Sequence, residues 1–177
     1  MRLSAVVRGI CLALAGWVIV AGSAPSARAQ QWTEITEGGF RVEMPGPPER
    51  SVQELTVNGT GEVVEQIELT VTLGATEYFC SRTTFRSMPP NLTPAQMLLN
   101  GRDGRPGHLL ADRSLNVSGA AAREYVHEED GWILATRAIY AADTLYQLIV
   151  VGRTGVQTAP ATRRFFESFG LVPRPPA

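Results

Sequence analysis

The strongest constraint on the fold is an alternation of apolar and polar residues with a period of two, clearest over residues 63–73. Successive side chains of a β-strand point to opposite faces, whereas an α-helix needs a period near 3.6. The segment therefore predicts a strand with one face on a core, and Glu65 is the one residue that breaks the apolar side. The apolar side consists of Val63, Ile67, Leu69, Val71 and Leu73.

Turn signals divide the rest of the chain at the spacing of β-hairpins. The pair Asn58–Gly59 suits a type I′ turn, in which both central residues have positive φ. Comparable pairs recur at 74–75, 118–119, 130–131 and, more weakly, 142–143. Residues 145–151 are apolar on both sides except at Gln147, which predicts a central strand covered on both faces. The predicted strands span residues 40–44, 49–57, 61–73, 76–85, 109–117, 121–128, 132–141 and 144–152.

A first helix is predicted after Thr93, which suits the N-cap position. Pro94 then occupies the first helical position and Gln96 completes a capping box. Gly101 or Gly104 is expected to end this helix.

A second helix is predicted over residues 159–168. Phe165 and Phe169 lie on its apolar stripe, and Gly170 is expected to stop it. Strands that alternate with two helices predict an α+β fold, an antiparallel sheet of about six to eight strands flanked by helices. We find no internal repeat and expect a single domain.

The N-terminus has the order of a secretory signal. Arg2 and Arg8 precede an apolar run over residues 10–21, and Ala27-Arg28-Ala29 has the small residues of a cleavage site. The run is about a dozen residues long, shorter than the ~20 that span a bilayer as a helix. We predict a cleaved signal peptide over residues 1–29 and a domain over residues 30–177 with a proline-rich tail. Its expected location is the periplasm or the exterior, without stable membrane insertion.

The charge and the cysteine content limit the kinds of partner that the expected domain can bind. All 16 basic residues are arginines and three of them lie in residues 1–29, so the expected domain has 13 arginines against 17 acidic residues, a net charge of −4. Without a basic run, the domain is not expected to bind nucleic acid or anionic lipid. Cys80 is the only cysteine after residue 29, so no internal disulfide is expected, and we interpret it as a small buried hydrophobe.

Few catalytic arrangements are open to this sequence. Without lysine there is neither a P-loop nor a Schiff-base nucleophile. Only His108 and His127 are available as imidazole bases, and no G-x-S-x-G elbow holds a serine. The run His127-Glu128-Glu129-Asp130 offers imidazole and carboxylate ligands to a divalent cation, but it is interpreted as a solvated hairpin tip. We therefore expect no enzyme activity, no cofactor and no metal.

Three residues are candidates for contact with a ligand or partner. Arg102 and Arg105 lie in a glycine-rich segment over residues 101–107, where two guanidinium groups suit a carboxylate or phosphate. The alternative is a plain loop that leaves the helix. Trp32 is either an exposed anchor for a partner or a residue packed across the sheet.

Both ends of the expected domain resemble PsbP-like domains of the Mog/PsbP fold. GGFRVEMPGPP at residues 38–48 is similar to their opening pattern G-F-x-V-x-x-P-G-x-P, and LYQLIVVG at 145–152 with RFFESF at 164–169 is similar to their closing pattern. The resemblance spans most of residues 32–171 and implies an antiparallel sheet between helices. Members are usually non-enzymatic. The plant form is a lumenal accessory of photosystem II, and the related Mog-type fold binds the GTPase Ran. No partner-binding residue of either branch matches this chain.

Together these observations lead to a non-enzymatic, exported binding or accessory module that acts through contact with an unidentified envelope protein. The alternative is a periplasmic carrier of a small ligand, with a pocket between sheet and helix. A sizeable apolar cavity would favour the carrier, and a flat apolar surface patch would favour the protein partner.

Overall fold

The structure is a computed structural model that describes residues 31–57, 61–86 and 92–172. This part of the chain contains ten strands and two α-helices. The strands are β1 (Thr33–Glu37), β2 (Phe40–Met44), β3 (Glu49–Thr56), β4 (Val63–Leu73), β5 (Thr76–Thr84), β6 (His108–Val117), β7 (Ala120–Glu129), β8 (Trp132–Ala141), β9 (Thr144–Arg153) and β10 (Gly170–Leu171). The helices are α1 (Pro94–Asp103) and α2 (Pro160–Ser168), preceded by a short 3₁₀ turn over Val156–Thr158.

Seven strands form one antiparallel sheet in the order β3-β4-β5-β9-β8-β7-β6. Strand β9 lies at its centre between β5 and β8. Its Leu148 and Val150 are buried on one face and its Gln147 and Ile149 on the other. The predicted central strand is therefore confirmed, as are the α+β class and the expected size of the sheet.

The predicted hairpin turns are present wherever the structure describes them. Residues 118–119, 130–131 and 142–143 each form a two-residue turn with positive φ at both positions, from 45° at Ala142 to 85° at Gly119. Gly74 opens the β4–β5 turn with a φ of 62°. The predicted turn at Asn58–Gly59 lies outside the described residues.

One face of the seven-stranded sheet carries the main hydrophobic core. Helix α2 and strand β2 cover this face, and Phe40, Phe165 and Phe169 fill the space between the layers. Phe40 stacks on Phe169 at 5.8 Å between ring centroids, and its edge meets Tyr146 at 5.7 Å. The sheet contributes Leu69, Val71, Tyr78, Cys80, Ala135, Ile139, Tyr146, Leu148 and Val150.

Helix α1 covers the other face, above β7 and β8. Leu98 of the helix packs there on Tyr125, Ala138 and Tyr140. Consecutive residues of β8, Ile139 and Tyr140, thus belong to cores on opposite faces, as the pleat requires. Neither helix of the described chain has the length and apolar composition that crossing a bilayer requires.

A second, three-stranded sheet in the order β1-β2-β10 is absent from the sequence prediction. Strand β1 has one apolar residue in five, Ile35, which pairs with Val42 of β2, and therefore shows little periodicity. Strand β10 has only two residues, too few for any pattern. Consequently Gly170, expected to stop the second helix, begins β10 opposite Arg41, while α2 already ends at Ser168.

Candidate functional site

Helix α1 begins where its N-terminal signals predict, and its C-terminal end carries the two candidate arginines. The Thr93 hydroxyl accepts a hydrogen bond from the Gln96 amide at 3.2 Å, and Pro94 occupies the first turn. The helix ends at Asp103 with Gly104 as its cap, so Arg102 lies in the last helical turn and Arg105 just beyond it.

Asp112 of β6 joins two arginines from different elements. Its Oδ2 accepts a hydrogen bond from Arg102 Nη1 at 2.5 Å and another from Arg123 of β7. These bonds, that from Arg123 above all, hold the pKa of Asp112 below its usual value, although partial burial opposes them. The carboxylate that Arg102 binds is therefore one of its own chain, and this ion pair ties α1 to the edge of the sheet.

The guanidinium group of Arg105 points inward. Its Nε and Nη2 atoms are buried and make no well-aligned hydrogen bond with the described residues, although the group lies within hydrogen-bonding range of the Tyr125 hydroxyl. Burial lowers the pKa of the His127 imidazole, and the positive charge of Arg105 lowers it further. Burial raises the pKa of the Tyr125 phenol, and the nearby Arg105 cation partly offsets the rise. At neutral pH the cluster therefore holds a neutral imidazole and a protonated phenol.

These side chains form what we call the polar cluster: Arg102, Arg105, Asp112, Arg123, Tyr125, His127 and Thr136. Eight buried side-chain nitrogen and oxygen atoms lack a hydrogen-bond partner among the described residues, and seven of them belong to the polar cluster. Buried polar atoms in proteins are nearly always paired. This concentration singles out the region beneath the end of α1.

An exposed apolar pair adjoins the polar cluster. Strand β6 is an edge of the sheet, and its pairing with β7 shifts register between Leu109 and Ala111. At this β-bulge Leu109 and Leu110 are 46% and 56% exposed, among the most exposed large apolar residues of the described chain. Residues 104–110, which run from the end of α1 to this bulge, are called the bulge surface below.

The third candidate, Trp32, lies away from the polar cluster. It is partly buried against the main core, on the α2 side of the sheet. The guanidinium carbon of Arg164 lies 4.4 Å from its ring centroid, and Arg164 Nε also donates to Glu43 Oε2 at 2.6 Å. The structure thus brings Arg102 and Arg105 together and separates Trp32 from both.

Several members of the polar cluster escaped the sequence analysis. Every second residue of β7 from Arg123 to His127 lies on the face beneath α1. This period of two is visible in the sequence and could have identified the three side chains as neighbours. Asp112 and Thr136 join them only through strand pairing. Asp112 of β6 lies opposite Tyr125 on one side of β7, and Thr136 of β8 lies opposite it on the other side. The interpretation of His127 as part of a solvated hairpin tip was wrong, since its side chain is buried and only 4% exposed.

Chemically, the polar cluster suits the binding of negative charge. The cluster has three arginines and one carboxylate, Asp112, and the neighbouring Asp103 also pairs with Arg102, so one guanidinium charge remains in excess beside the neutral His127. Within the described ranges, no three histidine, cysteine or acidic side chains come together as metal ligands would.

No family model and no curated protein match the chain. Solved structures do match it. The solution structure of cyanobacterial PsbP (CyanoP) from Synechocystis sp. PCC 6803 aligns with a TM-score of 0.52 at 10% identity, over 85% of this chain and 98% of that one. A crystal structure of a Pseudomonas aeruginosa protein of unknown function aligns with a TM-score of 0.42 at 18% identity, over 82% and 99% of the two chains. The chain has a PsbP-like fold, as the resemblance at its two ends predicts.

Proposed function

We propose that the protein is a non-enzymatic, exported module that binds an envelope protein through the bulge surface. In this proposal residues 1–29 are a signal that is removed, and residues 30–177 act in the periplasm or outside the cell. The partner presents an apolar side chain to Leu109 and Leu110 and an acidic side chain toward the arginines.

The exposed leucine pair beside the polar cluster is the observation that carries this proposal. Two adjacent leucines at a bulge give up hydrophobic stabilisation that a partner restores when it covers them. The Arg105 guanidinium behind them favours an acidic side chain on the partner, although Glu128 and Glu129 lie beside Gly107 and His108 of the same surface.

The carrier of a small ligand receives less support. One groove of about 330 Å³ is lined mainly by charged residues of α2, including Arg163, Arg164 and Glu167. A second of about 320 Å³ is lined by residues 45–47, 49 and 70–72, among them Pro45 and Pro47. A carrier site is normally an enclosed, mostly apolar pocket, and neither groove has that lining.

Site-specific crosslinking in the producing cell tests the proposal. A photoreactive residue replaces Leu110, and a matched control replaces Leu73, a leucine that is 44% exposed at the β4–β5 turn. We expect one discrete adduct with another polypeptide at position 110 and none at position 73. When Arg105→Gln is added to the variant that carries the photoreactive residue at position 110, the yield of that adduct should fall several-fold, since the substitution removes the positive charge nearest the bulge.

Native mass spectrometry of the protein released from its envelope fraction separates the two candidate functions. A complex with a second polypeptide supports the binding module. A small added mass on the monomer supports the carrier instead. Equal crosslinking at positions 110 and 73, or none at either, contradicts the bulge surface as the contact.

A further inference from the structure

Strand β3 is the edge of the seven-stranded sheet opposite to β6, and among the described strands it pairs only with β4. Seven of its eight residues are exposed, including Val52 at 48%. The strand contains no proline and no bulge in its pairing with β4. An edge of this kind presents unpaired backbone groups along its length and is a template for another strand.

The geometry of an antiparallel pair restricts how β3 can pair with a copy of itself. Along a strand, the backbone groups of alternate residues point to alternate sides, so a residue facing outward must oppose another that faces outward. In a symmetric pair of β3 strands the two-fold axis must therefore pass through a residue and not between two residues. Near the middle of the strand that residue is Ser51, Val52 or Gln53.

Only the register centred on Val52 matches charges. It places Arg50 opposite Glu54 of the second copy, twice by symmetry, and Val52 opposite its own copy. Centring on Ser51 opposes Arg50 to Val52, and centring on Gln53 opposes Glu54 to Val52. Opposite charges directly across an antiparallel pair are favourable, by roughly 0.2–1 kcal/mol each.

The charges within the monomer also favour the Val52-centred register. Glu54 lies directly opposite Glu65 of β4 on the same face, and like charges in this position repel, although Arg82 Nη2, 3.6 Å from Glu65 Oε1, offsets part of the repulsion. Arg50 donates to Glu37 Oε1 through its Nε at 3.0 Å and its Nη2 at 2.8 Å, and its Nη1, which takes part in neither bond, is the group that would reach Glu54 of a second copy. An arginine supplied by a second copy at Glu54 counters this repulsion.

We propose that β3 pairs antiparallel with β3 of a second copy of this chain, with the two-fold axis at Val52, and so joins two seven-stranded sheets into one. The contact involves one strand from each copy, which places it at the small end of protein interfaces. We therefore expect a dimer that dissociates on dilution. This dimer leaves the bulge surface, on the far edge of the sheet, free for another partner.

Sedimentation velocity of the purified protein over a wide concentration range tests the proposal with charge reversals. Arg50→Glu and Glu54→Arg each convert two attractive pairs into two repulsive ones. We expect either variant to weaken dimerisation about tenfold or more, which corresponds to about 1.4 kcal/mol. The double variant restores dimerisation, and an equimolar mixture of the two single variants forms a heterodimer. Arg113→Glu, on the opposite sheet edge, serves as the matched control and leaves dimerisation unchanged.

Circular dichroism and thermal unfolding establish that each variant is folded before its mass is compared. A wild-type protein that remains monomeric at the highest concentration overturns the proposal. So does a dimer that both single reversals leave intact, since its contact then lies elsewhere. Failure of the mixture to form heterodimers contradicts the Val52-centred register in particular.

Discussion

His127 shows at the residue scale how the polar cluster differs from the rest of the sheet. The imidazole is buried with its Nδ1 unpartnered, and its ring meets the edge of Tyr125 at 5.6 Å and 81°. Burial and the positive charge of Arg105 and Arg102 lower its pKa, because they penalise the charged imidazolium. The fold therefore holds a neutral histidine near two guanidinium groups, those of Arg105 and Arg102.

This arrangement predicts a pH-dependent stability. An unfolded histidine has a pKa of about 6.5, so the unfolded chain binds a proton below that pH more readily than the folded protein does. The free energy of unfolding should therefore fall as the pH drops below about 6.5, until the lower pKa of the folded state is passed. His127→Gln should remove this part of the decrease. Urea unfolding at pH 5 and pH 7 measures it.

His108→Gln is the matched control, because His108 is exposed at the start of β6. This variant should keep the wild-type loss of stability at pH 5. An identical response of the two variants would contradict the role assigned to buried His127.

At the scale of elements, the α1–β6 connection constrains the fold, because it joins a helix on one face of the sheet to an edge strand. Gly107 closes this connection with a φ of 88°. A Cβ atom at this position would lie 2.4 Å from the Glu128 carbonyl oxygen, closer than van der Waals contact allows. Gly119 has a similar φ of 85° but open space around it.

The two glycines give a matched pair of substitutions. Gly119→Ala should cost about 1–2 kcal/mol of unfolding free energy, from the left-handed backbone alone. Gly107→Ala should cost about 1–3 kcal/mol more, because the β7 backbone has to move away from the new methyl group. Urea unfolding at pH 7 compares them. Equal costs would show that the loop relieves the contact without strain.

At the scale of the whole molecule, the seven-stranded sheet separates two unequal cores. The α2 side is aromatic and tightly packed, whereas the α1 side places a small apolar cluster next to the polar cluster. Cys80 lies on the α2 side in β5, with no exposed surface, and is a free thiol. Burial raises its pKa because the thiolate is the charged form.

Cys80 is therefore a reporter of global opening. Thiols react as thiolates, so the native protein should react with a thiol reagent far more slowly than the protein in urea. Ala121→Cys places a control thiol at an exposed position of β7 and should react at once. Mass spectrometry assigns the label to position 80 or 121. Rapid native labelling at position 80 would mean that the sheet and α2 separate locally.

The sequence by itself determined the elements whose signals are local. Strand alternation, two-residue turns and the cap of α1 depend on neighbouring residues, so the strands from β2 to β9 and both helices were predicted to within a residue or two. Strand β1 was missed because its pairing with β2 stabilises a segment with only one apolar residue. The PsbP-like fold followed from motifs in core and turn positions.

Only the tertiary structure brought the polar cluster together. Asp112, Arg123 and Arg102 come from two strands and a helix, and their contact depends on strand register and on where α1 packs. Leu109 and Leu110 would alternate between faces in a regular strand, and the bulge at the sheet edge leaves both exposed. Long-range pairing sets these features, because no local pattern specifies which strand becomes an edge or which buried polar atom finds a partner.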